Sequence, residues 1–220
     1  MSRRPRLIAE GRASEVFDLG DGRVLRRFKH GGRPEREALV MRHAHLNGYP
    51  VPEVLEATAD ALVLAKVEGP TMWQAASEDP STVPAHAASL ARLHGQLHGI
   101  GAPDGLQPVG DGDRLIHLDL HPANVILSPD GPVVVDWTNA RRGAPALDVA
   151  VTWVIGATST GLGTLGGAFV DHFLSRFDRA ELRRVLPAAA EYRLADANVT
   201  DEERQRIREL MAREVVELAP

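Results

Sequence analysis

HLDLHPANVIL, His117 to Leu127, with VVVDW following from Val133 to Trp137, decides how the rest of this chain is read. It sets a His, an Asp and an Asn at the spacing H-x-D-x-x-x-x-N. The five-residue step from Asp119 to Asn124 suits a tight loop that turns both side chains toward one point. Ser128-Pro129-Asp130-Gly131 reads as a hairpin turn between two buried strands, Val125–Leu127 and Val133–Val135. Such a hairpin brings Asp136 back beside Asn124.

These are the groups that phosphoryl transfer requires: one carboxylate to orient a hydroxyl, and an amide with a second carboxylate to hold magnesium on nucleotide phosphates. The stretch resembles the catalytic and metal-binding loops of the aminoglycoside phosphotransferase family, small-molecule kinases with a protein-kinase-like fold. Their usual pattern is HGDLHPGN, then an apolar strand and DW or DF. The chain matches at His117, Asp119, Leu120, His121, Pro122, Asn124, Asp136 and Trp137. It departs at Leu118 and Ala123, where the family usually and often, respectively, has Gly. Neither departure removes a chemical group.

Bulk properties narrow the alternatives. The 220 residues suffice for one large domain or two small lobes, and 44% hydrophobic content implies a packed core. A formal charge of −5 argues against a nucleic-acid binder. Cysteine is absent, which excludes disulfides and thiolate metal sites. The Arg-rich start lacks the apolar region of a secretory signal. No apolar run approaches the ~20 residues that span a bilayer. The simplest expectation is a soluble cytoplasmic protein without membrane or nucleic-acid partners.

Along the chain, Leu7 to Phe28 suits a small antiparallel sheet, with Glu15–Leu19 and Arg23–Phe28 joined by a turn at Gly20-Asp21-Gly22. His30-Gly31-Gly32 is a loop, and Pro34 begins a helix with Leu39, Val40, His43, Ala44 and Leu46 as its apolar stripe. Val54–Ala57 and Ala61–Val67 read as strands. Thr82–His98 reads as a helix with Leu90, Leu93 and Leu97 on one face, and Ile100–Gly112 and Asn139–Pro145 as loops. From Leu147 the pattern is helical, with capping boxes at Asp178-x-x-Glu181 and Thr200-x-x-Glu203. A strand-rich first third before a helical remainder fits an α+β, two-lobed protein-kinase-like fold. The expected N-lobe is 1–68 and the expected C-lobe, with the catalytic hairpin, 69–220. The hinge falls at Ala65–Gly69, and Leu62–Gly69 is similar to the family's inter-lobe strand, which presents backbone groups to adenine.

The resemblance implies the rest of the site. The segment from Glu10 to Val16 stands where a phosphate-covering loop belongs, though it lacks G-x-G-x-x-G; Ser14 and neighbouring backbone N–H groups are its candidates. On the strand VLRRF, Arg26 is the cation for the α and β phosphates, with Glu37 its partner and Glu35 the fallback. Asp148 resembles the buried Asp that braces the catalytic loop. His117 is expected to orient that loop, and His121 occupies a position near the transferred phosphate.

The reading is a magnesium-dependent kinase moving the γ-phosphate of ATP or GTP to a hydroxyl of a small molecule, such as an aminoglycoside-like compound, a sugar or an amino alcohol. Asp119 is the catalytic base; Asn124 and Asp136 are the metal ligands. The alternative is a kinase-like nucleotide-binding protein with little or no catalysis, suggested by the degenerate phosphate loop. A third reading takes His117, Asp119 and His121 as zinc or iron ligands, which leaves Asn124 and Asp136 idle. His94 and His98 also stand four apart on a helix, but with Gly95 where H-E-x-x-H has its Glu. Acidic residues near the C terminus, Glu191, Asp196, Asp201 and Glu202, would favour a cationic acceptor if they lined its pocket.

Overall fold

The computed structural model describes residues 5–11, 14–29, 32–159 and 163–216. Arg12 and Ala13 of the expected phosphate loop, and His30 and Gly31 of the loop after the VLRRF strand, lie outside the described residues. In chain order the first elements are β1 (Arg6–Glu10), β2 (Ser14–Asp18), β3 (Arg23–Phe28), α1 (Pro34–Leu46), β4 (Val54–Ala57) and β5 (Ala61–Ala65). Then come α2 (Met72–Glu78), α3 (Val83–His98), β6 (Pro108–Val109), β7 (Arg114–Ile116), β8 (Val125–Ser128), β9 (Gly131–Val134) and β10 (Arg141–Gly143). Four helices follow: α4 (Pro145–Thr158), α5 (Gly163–Leu174), α6 (Arg179–Leu194) and α7 (Asp201–Val216). An antiparallel sheet followed by a mainly helical region is the kinase-like arrangement.

Two compact units divide the described residues: Met1–Pro70 with Val125–Ala140, and Thr71–Asn124 with Arg141–Pro220. The first holds the antiparallel sheet β1-β2-β3-β5-β4. On β3 the period-two alternation buries Arg26 and Phe28 and exposes Arg27 between them. Helix α1 starts with Pro34 in its first turn. Its buried face is Glu37, Ala38, Val40, Met41 and Ala44; of the expected stripe Val40 and Ala44 are buried and Leu39 and Leu46 are not. Leu39 is 47% and Leu46 84% exposed. Helical spacing from Glu37 selects 40, 41 and 44, and the position that fixes the rotation is a buried acid, which a hydrophobicity pattern does not count.

The expected hairpin forms as β8–β9, with Val125 opposite Val134 and Ser128 opposite Gly131; its second strand runs Gly131–Val134 rather than Val133–Val135. It joins the sheet-bearing unit through Leu127 N–H to Pro70 O and Val134 N–H to Pro50 O, each 2.9 Å. Gly69, at φ 140°, allows this approach: a Cβ there would lie 2.1 Å from Leu127 O.

In the second unit α4 is buried almost all round from Leu147 to Ile155, as an internal helix must be. Helices α3, α5, α6 and α7 pack against it. Helix α3 contributes Leu90, Leu93 and Leu97, all essentially inaccessible. The capping box of α7 is complete: Glu203 N–H donates to Thr200 Oγ1 at 3.2 Å and Thr200 N–H to Glu203 Oε2 at 3.0 Å. Asp178 caps α6 by accepting from Ala180 and Glu181 N–H. Two expected loops contain strands. Arg141–Gly143 is β10, paired with β7 and β6, and Pro108–Val109 is β6. Short strands of Arg, Gly and Pro carry no alternation to read. Among the described residues no helix is long and apolar enough to cross a membrane.

Candidate active site

Two clusters contain the residues singled out above, one in each unit. In the sheet-bearing unit the Arg26 guanidinium is nearly saturated. Nε donates to Ser14 Oγ at 3.0 Å, Nη1 to Glu37 Oε1 at 2.5 Å, and Nη2 to Asp136 Oδ1 at 2.7 Å and Thr138 Oγ1 at 3.1 Å. Thr138 Oγ1 also donates to Glu37 Oε2 at 3.0 Å. Trp137 N–H donates to Glu37 Oε1 at 3.2 Å. Ser14, Arg26, Glu37 and Asp136 are thus brought together by strand β2, strand β3, helix α1 and the segment after β9. Glu35, the fallback partner, is exposed. Arg27 points to the other face and pairs with Glu15, and Lys29 pairs with Glu10.

Thr138 was missed by sequence reasoning; its signal was a hydroxyl two residues after Asp136 on the same turn. Burial works against the charge on Arg26, but Glu37 and Asp136 outweigh it and raise its pKa. Burial also pushes the Glu37 carboxyl up, against the pull of the guanidinium. Asp136 is the open end of the cluster: its side chain is 43% exposed, against 2% for Glu37 and 9% for Arg26. It adopts φ 63°, which turns the chain sharply after β9.

In the helical unit Asp148 holds the start of the catalytic loop by its backbone. Its Oδ1 accepts from Leu118 N–H at 2.6 Å, and its Oδ2 from His117 N–H at 3.2 Å. His98 Nε2 lies 2.9 Å from the same Oδ2. His117 and Asp148 are fully buried. Burial alone would raise the Asp148 pKa, but His94 and His98 hold it well below the ordinary carboxylate range. Leu118 stands at φ 62° with its side chain buried, in the position where the resembled motif has Gly. The left-handed conformation of a Leu costs about 1–2 kcal/mol.

Beyond this anchor the loop closes on itself. Asn124 Nδ2 donates to Asp119 O at 2.9 Å and approaches Asp119 Oδ2 at 3.3 Å. That leaves the Asn124 carbonyl oxygen as its atom suited to a hard cation. His121 Nδ1 accepts from Ala123 N–H at 3.3 Å, and its Nε2 lies 3.3 Å from Asn124 Nδ2 and 3.6 Å from Asp119 Oδ1. Asn124 closes the turn Pro122–Asn124 and directly precedes Val125, and Asp136 follows Val134, the partner of Val125, by two residues.

His117, Asp119 and His121 do not form a metal-ligand group among the described residues. The group that does gather is His94, His98 and Asp148, with ligand atoms within 4.8 Å of one another. There Asp148 already serves the loop amides, and His94 Nε2 lies 3.3 Å from Leu120 O and 3.2 Å from Thr152 Oγ1. Burial pushes the His94 pKa down, against the pull of Asp148.

Comparisons with known proteins bear on the family and the fold. A model of the phosphotransferase enzyme family matches residues 5–114 and 107–193. The solved aminoglycoside phosphotransferase APH(4)-Ia superposes with TM-score 0.74 at 15% identity, covering 100% of this chain and 95% of that one. A choline/ethanolamine kinase family protein from Mesorhizobium loti superposes with TM-score 0.63 at 18% identity, covering 99% and 89%. A GDP and kanamycin complex of an APH(2") enzyme superposes with TM-score 0.62 at 15% identity, covering 99% and 94%. These likenesses concern the fold. A curated relative, a probable bifunctional tRNA threonylcarbamoyladenosine biosynthesis protein of Methanoculleus marisnigri, is 22% identical over 191 residues, 79% of this chain. The chain spans about a third of that relative's length, 32%. With the family matched over most of its length, the chain belongs to the phosphotransferase enzyme family, the aminoglycoside phosphotransferase family that its catalytic stretch resembles.

Proposed function

We propose that this phosphotransferase moves the γ-phosphate of ATP or GTP to a hydroxyl of a small molecule in the cytoplasm, with residues 1–68 and 69–220 acting as its two lobes. The observation that carries the reading is the buried Arg26–Glu37–Asp136 cluster, built in the same chain as an Asp119–Asn124 loop braced by Asp148. Asp119 orients the acceptor hydroxyl and takes its proton as the oxygen bonds to the γ-phosphorus. The bond from phosphorus to the β–γ bridging oxygen breaks, and the nucleoside diphosphate leaves with the electron pair. Arg26, positioned by Glu37 and Ser14, faces the α and β phosphates. His117 orients the loop from within the core, and His121 stands beside Asp119. The Asn124 carbonyl and the Asp136 carboxylate are hard oxygen donors, the type magnesium takes. A magnesium ion held by these groups would supply charge neutralisation to the nucleotide phosphates. The nucleotide and amino-alcohol or sugar acceptors are supported by the names of the similar structures, one of them a GDP and kanamycin complex and another a choline/ethanolamine kinase family protein.

The test is Asp119→Ala with calorimetric titration of magnesium ATP and GTP. Nucleotide binding should persist and turnover should fall by about 10²–10⁴. Equal turnover in the variant would remove Asp119 from the chemistry. A second reading, a nucleotide-binding protein with little catalysis, draws on the direct Arg26–Asp136 pair, which ties up one oxygen of a metal ligand. Binding without hydrolysis or transfer in the unmodified chain would favour it.

A further inference from the structure

The helical unit forms an open-sided pocket of about 170 Å³ against the catalytic loop. Its walls are largely apolar: Trp73 from α2, Ile155 from α4, and Phe169 and Val170 from α5. His121 and Arg193 are the lining residues that bring a charged or ionisable head. No carboxylate is among the lining residues described. Glu191, Asp201 and Glu202, which would have suited a cationic acceptor, are not in the lining, and Asp196 meets the pocket only through its pair with Arg193. That pair takes one Nη1–H, at 3.0 Å, of the five that a guanidinium offers. His121 links pocket and chemistry, because its ring lines the one and lies 3.6 Å from Asp119 Oδ1.

We infer that the acceptor is an alcohol with an apolar body and one anionic group, read by Arg193, and not a polycationic aminoglycoside. This rests on the phosphotransferase reading, which makes the pocket beside Asp119 the acceptor site. The charge of the lining carries this inference. An ammonium in the pocket would meet the Arg193 guanidinium and find no carboxylate among the lining residues described. A carboxylate there meets the fork geometry that guanidinium groups bind in pairs. The apolar body replaces water along the aromatic walls.

The test titrates three probes of one shape into the full chain: para-hydroxymethyl benzoate, para-hydroxymethyl toluene and para-hydroxymethyl benzylamine, with kanamycin as the fourth. Binding is read by calorimetry and by the fluorescence of Trp73, with Trp73→Phe as the optical control. The benzoate should bind about tenfold more tightly than the neutral and cationic probes, with no kanamycin binding. Arg193→Gln should erase that preference, Arg193→Glu should reverse it toward the amine, and Asp196→Asn should strengthen benzoate binding by removing the competing carboxylate. If Arg193 variants do not fold, the Asp196→Asn shift decides alone. Tighter binding of the amine or kanamycin, no binding of any probe, or a preference indifferent to Arg193 and Asp196 overturns the inference. A separate titration of magnesium AMP-PNP judges the reading beneath it. Benzoate preference without nucleotide binding overturns the phosphotransferase reading alone, and nucleotide binding with amine preference overturns this inference alone.

Discussion

The Arg26 cluster and the catalytic loop solve one problem, placing charged groups away from water, in opposite ways. Around Arg26 the contacts join side chains far apart in sequence: Ser14, Glu37, and Asp136 more than one hundred positions away. Opposite charges compensate one another there. Around Asp148 the carboxylate is satisfied mainly by backbone N–H groups of His117 and Leu118, with His98 completing it. The first arrangement can rearrange when a phosphate or cation offers new partners, because side chains can exchange partners. The second fixes the course of the main chain, which is what a loop carrying a catalytic Asp needs. One cluster is built to bind and the other to hold.

The largest effect that separates them is Asp148→Ala. It leaves two buried amides and a histidine without their acceptor, and stability should fall by about 3–5 kcal/mol, read from urea denaturation. Arg26→Ala should cost a similar amount by stranding Glu37, but with a difference in rescue. Arg26→Lys should recover much of the stability while weakening magnesium-nucleotide binding, since a point charge replaces a fork. At Asp148 no conservative change should rescue, because Asn offers one acceptor oxygen for three donors. Rescue of Asp148→Asn to near the native midpoint would erase the contrast.

Leu118→Gly probes the hold more finely. Glycine relieves a left-handed backbone worth about 1–2 kcal/mol. It also removes a side chain only 1% exposed, and emptying a buried Leu site costs about 2–5 kcal/mol. The second number wins, so the variant should be less stable although it restores the residue common in the resembled motif. A more stable variant would mean that the surrounding core collapses to fill the space.

Much of this was legible beforehand, and the boundary follows sequence distance. The β8–β9 hairpin, the turn at Gly20-Asp21-Gly22 and the Thr200–Glu203 box depend on neighbours, and neighbours are what a motif records. The β3 alternation also singled out Arg26 over Arg27. Thr138 in the Arg26 cluster, and Trp73, Phe169 and Arg193 around the pocket, depend on which helices meet. Nothing local distinguishes them from ordinary helix residues. The rotation of α1 was misjudged for the same reason: Glu37 faces inward to meet a cation on another strand, so the acid and not the leucines sets the helix face.

Acid should loosen the Asp148 anchor in two steps of definite order. His94 is fully buried, and its pKa in the fold is depressed. The unfolded chain therefore binds the extra proton first, and stability is present above about pH 6.5 and lost as pH falls below it. Around the ring stand His98, Asp148, Thr152 and Phe173, none of which offers it a second carboxylate. Asp148, also depressed, adds a second loss below about pH 3.9. Denaturation midpoints across pH should show both steps, and His94→Gln should flatten the first and shrink the second, because His94 is one of the two rings that hold Asp148 low. An unchanged first step would assign it to another histidine.

The smallest expected effect sharpens what burial contributes. Arg27 sits one residue from Arg26 and pairs with Glu15 at 2.7 Å, close to the separations in the Arg26 cluster. Its side chain is 53% exposed, where that of Arg26 is 9%. An exposed pair is screened and already hydrated, so Arg27→Ala should change stability by less than about 1 kcal/mol. It should leave magnesium-nucleotide binding as it was, because Arg27 faces away from Glu37 and Asp136. The side chain also lies over the Phe17 ring at 4.9 Å, which adds to the same small total. Measured beside Arg26→Ala, the two neighbours differ in the water around the charge and in the number of partners that it holds. A loss at Arg27 as large as that at Arg26 would show that the strand itself, and not the buried cluster, carries the stability assigned to Arg26.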